Sequence, residues 1–142
     1  MISNKNNFII HTDGGARGNP GPAATGFIIE TGSQIVYQSG TYIGNTTNNV
    51  AEYTAVIHAL TWLKTNPSSL LSISSLHFFL DSSLVVNQLN GIFKIREPHL
   101  IPLSQTIHSI ISSLSLPTSF AYVPRAQNAA ADRLVNHALD TS

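Results

Sequence analysis

Cysteine is absent from the 142 residues, so disulfides and thiolate metal sites are both closed to this chain. The absence is compatible with a reducing compartment. Charge is nearly as scarce. Seven Asp and Glu balance seven Lys and Arg, and together they make 10% of the chain, against roughly 25% in ordinary domains. No broad basic field exists to attract nucleic acid or an anionic membrane, so any polyanion site must be built locally. Long apolar runs are also missing, which excludes a membrane-spanning helix. The opening "MISNKNNF" lacks the basic start, apolar stretch and small-residue cleavage site of a secretory signal. A soluble, cytoplasmic protein is expected. What is present is 42% apolar residues in a length that suits one domain, 1–142.

The shortage of charge makes each acid informative: Asp13, Glu30, Glu52, Asp81, Glu97, Asp132 and Asp140 are the whole supply. Four of them fall in strongly apolar contexts. "NFIIHTD" is a β-rich run that is expected to end at Asp13, where glycines begin. Ala24 to Glu30 and Gln34 to Ile43 read as two more strands joined by a tight turn at "TGS", so strands one to three are expected to be antiparallel. "NNVAEYTAVIHALTWLKTN" reads as a helix, with Asn48 or Asn49 available as N-cap and Val56, Ala59 and Leu63 on one face. Glu52, four residues before Val56, shares that inward face.

After a serine-rich connector, "SLHFFLD" is a strand ending at Asp81 much as the first ends at Asp13. A right-handed crossover through the helix makes these two strands parallel neighbours with coincident C-terminal ends, the edge where open α/β sheets bind ligands. A short helix stopped by Gly91 follows, then a longer one with Pro98 near its first turn, ending before Pro117. A last strand covers about Thr118 to Val123. "VPRAQN" forms a loop, and a closing helix begins at Asn128 or Ala129, with Asp132, Val135 and Leu139 on one face. Four carboxylates are thereby expected at one sheet edge. Hard oxygen ligands without thiolates suit Mg²⁺ or Mn²⁺, and two such ions about 4 Å apart clamp the attacking and leaving oxygens of a phosphodiester.

Taken singly, each acid has a plainer reading: Asp13 as a turn residue before Gly-Gly, Glu52 as a helix-start acid, Asp81 and Asp132 as caps or exposed residues. Their conjunction in order is what argues for a site. "GGARGNPGP" is no nucleotide-binding P-loop, since the Gly-Lys-Ser/Thr ending is missing and Pro20 and Pro22 oppose an immediate helix. His11, His58 and His77 sit in apolar stretches and read as structural, and Trp62 as a packing residue.

"TDGGARGNPGPAATGF", "TTNNVAEYTAVIHAL", "LDSSLVVNQLNG" and "VPRAQNAAADRLVNHAL" resemble, in order and over nearly the whole chain, the four motif blocks of type 1 ribonuclease H. The resemblance implies an α/β, ribonuclease H-like fold. Its five-stranded mixed sheet has strands 1–3 antiparallel, strands 4 and 5 parallel to strand 1, and helices on both faces. It also implies endonucleolytic hydrolysis of the RNA strand of RNA/DNA hybrids by a monomer using two Mg²⁺, or Mn²⁺, leaving 5′-phosphate and 3′-hydroxyl ends. Asp13 would be the ligand shared by both ions, Asp132 would serve the attacking-water side, and Glu52 and Asp81 the leaving-group side. Glu52 would also lie near a ribose 2′-OH, the group that distinguishes RNA from DNA. Gly14, Gly15, Asn48 and Asn49 match positions that would contact the hybrid through its sugars and backbone, and Asn19, Thr47, Ser82 and Arg125 are expected to add to substrate binding.

Three departures qualify the resemblance. Leu89 to His99 is too short for the basic, tryptophan-bearing protrusion of the better-known bacterial members and carries only Lys94 and Arg96, which implies weak, salt-sensitive binding. Ser83 stands where a longer polar side chain is common. "VPRAQN" lacks the histidine that many members place before the last acid, leaving Arg125 as the nearest candidate for contact with phosphate or product. The pattern resembles the compact, protrusion-less branch. Two other classes stay open: a non-catalytic hybrid- or RNA-binding module, and another nuclease of the same superfold.

Overall fold

In the computed structural model, residues 6–142 are described. The reading of a missing secretory signal rests on the first residues and lies largely outside them. Three strands open the fold: β1 (Asn7–Ala16), β2 (Gly21–Thr31) and β3 (Gln34–Thr46). They are followed by α1 (Asn48–Thr65), β4 (Ser75–Leu80), α2 (Ser83–Leu89), α3 (Ile101–Leu114), β5 (Thr118–Tyr122) and α4 (Ala129–Asp140). The sheet order is β3-β2-β1-β4-β5. The β1–β2 and β2–β3 pairs are antiparallel, and β4 runs parallel to both β1 and β5. This is the expected five-stranded mixed sheet. Among the described residues no helix is long and apolar enough to cross a membrane.

Alternation along the strands divides the apolar residues between the two faces. Phe8 and Ile10 of β1 and Phe27 and Ile29 of β2 join the main core. There they meet Val56, Leu60 and Leu63 of α1, Val85 and Leu89 of α2, and Ile107 of α3. The opposite face is covered by α4, whose Val135, Ala138 and Leu139 form a smaller cluster with Ala24. Tyr53 of α1 donates to Gln88 of α2 at 2.6 Å, so a buried hydroxyl finds a buried acceptor and the two helices are tied together.

Three strand ends differ from the sequence reading. β1 does not stop at Asp13 but continues to Ala16, while β2 starts at Gly21 and β3 reaches Thr46. Beyond the pair His11 and Phe79, β1 has no partner in β4, yet its ladder with β2 runs on from Asp13–Gly26 to Ala16–Ala23. Glycines that read locally as a turn stay extended because a continuous antiparallel partner satisfies their backbone groups. Asp13 therefore sits within a two-stranded ribbon that projects past the parallel part of the sheet.

The helix starts also need one correction. Thr47, rather than Asn48 or Asn49, caps α1, its hydroxyl accepting from the Val50 amide at 3.3 Å. Asn48 is committed elsewhere: its carboxamide oxygen accepts from the Ala16 amide at 2.8 Å. Ser82 caps α2, and Gly91, at φ +75°, follows its end as expected. Ahead of α3, Pro98–Leu100 form a 3₁₀ turn, so the α-helix proper begins three residues later than Pro98 suggested.

The aromatic and histidine residues pack as expected. Trp62 stacks on Tyr37 with ring centroids 4.6 Å apart. His58 meets the Thr25 hydroxyl at 2.8 Å and its pKa is lowered by burial. His77 lies between the hydroxyls of Ser75 and Ser119.

Two glycines that the sequence reading passed over decide where α4 lies. Gly26 and Gly40 are partners across β2 and β3, and Asp13 is the partner of Gly26 on its other side. A Cβ on Gly26 would come within 2.6 Å of the Ala131 carbonyl, and one on Gly40 would overlap that of Leu134. The pair makes a trough without side chains in which α4 rests directly on the sheet, one strand away from Asp13.

Candidate active site

Asp13 comes from the β1 ribbon, Glu52 from the second turn of α1, Asp81 from the end of β4, and Asp132 from the first turn of α4. Ligand oxygens of Asp13, Glu52 and Asp81 all lie within 4.8 Å of one another. Asp132 stands outside this tight trio but lines the same cleft, which encloses about 540 Å³. Its Oδ2 accepts from the Asn136 carboxamide at 3.3 Å, one turn along α4. The topology thus brings all four acids to one cleft, three of them into mutual contact range.

Asp13 and Glu52 are 8% and 6% exposed, whereas Asp81 and Asp132 are half-buried. Burial pushes the Asp13 carboxyl up to about 7, with the charges of Asp81 and Asp132 adding to the effect and a hydrogen bond with Glu52 opposing it. Burial, followed by the neighbouring charge of Asp13, likewise holds Glu52 well above the usual carboxylate range. Glu52 is held in place by the Gly14 amide, which donates to its Oε1 at 2.6 Å. Its other oxygen, Oε2, is buried and has no hydrogen-bond partner among the described residues.

A buried carboxylate oxygen left without a donor is costly, and three repelling carboxylates together are costlier still. A divalent cation removes both penalties, since it supplies the missing partner and neutralises the shared charge. The cluster can therefore hold a divalent metal, and its all-oxygen donor set suits a hard ion.

Gly14, Gly15, Asn48, Asn49, Ser82 and Arg125 line the cleft, as do Arg17 and Asn136, which the sequence reading did not single out. Asn19 and Thr47 are not among its lining residues. Asn19 accepts from the Asn48 amide at 2.9 Å and Thr47 caps α1, so both brace the helix start that carries Glu52. Gly14 has a packing reason to lack a side chain, because a Cβ there would overlap the Ala51 backbone. At Gly15 the nearest atom to an added Cβ is a Val135 methyl at 3.9 Å, so that position is open.

Asn128 is a further residue that sequence reasoning missed. It is 1% exposed, donates to the Thr12 carbonyl at 2.9 Å and meets His11 Nδ1 at 2.9 Å, tying the start of α4 to β1 beside Asp13. His11 also stacks on Phe79, which explains its partly buried position. The only signal for Asn128 was its place as a helix-start polar residue.

The reverse-transcriptase-like family model matches residues 11–138. The bifunctional protein Rv2228c of Mycobacterium tuberculosis is 38% identical over 136 residues, covering 94% of this chain and 36% of that protein. Ribonuclease HI of Halobacterium salinarum is 38% identical over 129 residues, covering 90% and 62% respectively. The chain thus spans about a third to two thirds of the length of these curated relatives. Among solved structures, LC11-RNase H1, isolated from compost by a metagenomic approach, superposes with a TM-score of 0.90 at 43% identity, covering 96% of this chain and 97% of that one. The same protein in complex with RNA/DNA hybrid gives a TM-score of 0.87, covering 94% and 97%. With a family match across most of its length, the strand order expected for it and four carboxylates in one cleft, the chain belongs to the reverse-transcriptase-like family and is a type 1 ribonuclease H domain by fold and sequence likeness.

Proposed function

We propose that this chain, read as one domain over residues 1–142, is an endonuclease that hydrolyses the RNA strand of RNA/DNA hybrids and leaves 5′-phosphate and 3′-hydroxyl ends. The observation that carries the reading is the carboxylate trio, with Asp13 and Glu52 buried and one Glu52 oxygen unpartnered among the described residues. It is supported by likeness to LC11-RNase H1, which has been solved in complex with RNA/DNA hybrid. Asp13, Glu52, Asp81 and Asp132 are the proposed ligands of two Mg²⁺ ions, with Mn²⁺ as a substitute. Bound there, such ions polarise the scissile phosphate and stabilise charge on the attacking and leaving oxygens.

The chain's own residues divide the remaining work. Asp13 would be shared between the ions, Asp132 would serve the side of the attacking water, and Glu52 and Asp81 would serve the leaving-group side. The Gly14 amide fixes the Glu52 carboxylate, so the group nearest the ribose 2′-OH is preorganised. Gly15, Asn48, Asn49 and Ser82 offer backbone and short polar groups to sugars and phosphates, while Asn19 and Thr47 contribute at the same end of α1. Such contacts read hybrid shape rather than base sequence. Arg125 contacts the scissile phosphate or the departing product. All four carboxylates come from one chain, which supports a monomer, and a cysteine-free composition is compatible with work in the cytoplasm.

The test is incubation with end-labelled RNA/DNA hybrid, double-stranded RNA and double-stranded DNA, with and without Mg²⁺ or Mn²⁺. The expected result is metal-dependent cutting of the hybrid RNA strand alone, lost in Asp13→Asn. Hybrid binding without cleavage would favour the non-catalytic module, and cleavage of another substrate instead of the hybrid would favour a different nuclease of this superfold.

A further inference from the structure

We propose that Arg17 is a phosphate-contacting residue of this site, held in its binding position by Asp140 at the end of α4; the inference rests on the nuclease reading above. Only seven Lys and Arg exist in the chain, and among the described residues Arg17 and Arg125 are the two that line the carboxylate cleft. A phosphate approaching four carboxylates meets repulsion, and a guanidinium beside them offers a charge-assisted bond that offsets it.

Arg17 is more firmly set than a loop residue would ordinarily be. Its amide donates to the Pro22 carbonyl at 2.8 Å, closing the connection between β1 and β2. The Ala16 amide donates to Asn48, and the Asn48 amide to Asn19, so both flanks of Arg17 are fastened to the start of the helix that bears Glu52. A Cβ on Gly21 would overlap the Arg17 carbonyl, which shows how closely the loop folds on itself. The side chain is fixed from the other direction. Arg17 Nη2 lies 2.7 Å from Asp140 Oδ1, with the two side chains 49% and 63% exposed.

An exposed pair of this kind contributes little to stability. A guanidinium presents five N–H donors in a planar fork, so one edge can hold Asp140 while the other donates to a phosphate oxygen. Among the described residues Asp140 is the only partner of the Arg17 side chain. Asp140 thereby acts as a positioning residue: it directs Arg17 without touching substrate.

Hybrid cleavage is followed for the wild type, Arg17→Ala, Arg17→Lys, Asp140→Asn and the double variant Arg17→Ala/Asp140→Asn, across salt from about 50 to 200 mM. Arg17→Ala is expected to raise KM on the order of 10-fold with kcat within about 2-fold, and to reduce the slope of log KM against log salt by about 0.9, the value for one lost phosphate contact. Arg17→Lys keeps the slope and recovers part of the affinity. Asp140→Asn raises KM a few-fold when Arg17 is present and has no effect in its absence. Wild-type KM and salt slope in Arg17→Ala would overturn the proposal, as would a fall in melting temperature with no change in slope, the mark of a purely structural ion pair. Absence of hybrid cleavage in the wild type would instead overturn the nuclease reading on which the proposal stands.

Discussion

Asp13→Asn should abolish hybrid cleavage and, in the same molecule kept free of divalent ions, raise thermal stability at neutral and alkaline pH. The reason lies in the carboxylate cluster. Asp13 is 8% exposed and its carboxyl titrates at about 7 rather than 3.8, chiefly through burial and then through Asp81. A group whose acidity is weakened on folding is protonated in the native state before it is in the unfolded chain. Its contribution is fully present below about 3.8 and is lost as pH rises through about 7. At 1.36 kcal/mol per pKa unit, that displacement corresponds to roughly 4 kcal/mol between the two ends of the window. Glu52 pushes in the same direction. Asn carries no charge and nearly the same volume, so it removes the repulsion, while losing part of the hydrogen bonding with Glu52. A net gain of about 1–3 kcal/mol is expected at about pH 8, or roughly 3–9 °C in Tm for a chain of this size, shrinking towards zero near pH 4. The assay is thermal denaturation by circular dichroism in chelator at both pH values. Added Mg²⁺ should raise the wild-type Tm and leave Asp13→Asn nearly unmoved. A variant that melts below the wild type at about pH 8, or by the same margin at both pH values, would refute the account of a strained, metal-ready cluster.

The neighbouring glycines should separate sharply. Gly14→Ala forces a methyl into the Ala51 backbone and should cost about 3 kcal/mol or more in urea denaturation, whereas Gly15→Ala, with space before Val135, should fold normally. Gly40→Ala should lift α4 from its trough, moving Asp132 and lowering kcat on the order of 100-fold in hybrid cleavage, by the sensitivity of catalysis to misplacement of about 1 Å. Asn128→Ala leaves the buried Thr12 carbonyl without its side-chain donor and releases His11, and should lower stability by about 1–3 kcal/mol in chemical denaturation.

Much of the site was legible because its chemistry is concentrated in few residues. In a chain with only seven acids, an acid that follows an apolar β-rich run, as Asp81 does after "SLHFFL", already stands out. The alternation of β1 and the helical spacing from Glu52 to Val56 and Leu63 indicated which face each acid shares. Strand ends were less legible. Whether Gly14 and Gly15 begin a turn or remain extended depends on β2, which the local sequence does not contain. The cap of α1 went to Thr47 because Asn48 is drawn to Ala16, a partner 32 residues away. Arg17 and Asn128 escaped notice for the same reason, since their partners Asp140, Thr12 and His11 lie far along the chain.

The sequence by itself determined the element order, the mixed sheet and the four carboxylates, because hydrophobic periodicity and the rarity of charge are properties of the chain read in order. Only the tertiary structure decided that Asp13, Glu52 and Asp81 form a tight trio with Asp132 set apart, and that α4 reaches the site by lying on Gly26 and Gly40. Packing two elements at close range requires side chains to be absent from both at the same point, and that coincidence exists in space rather than along the chain.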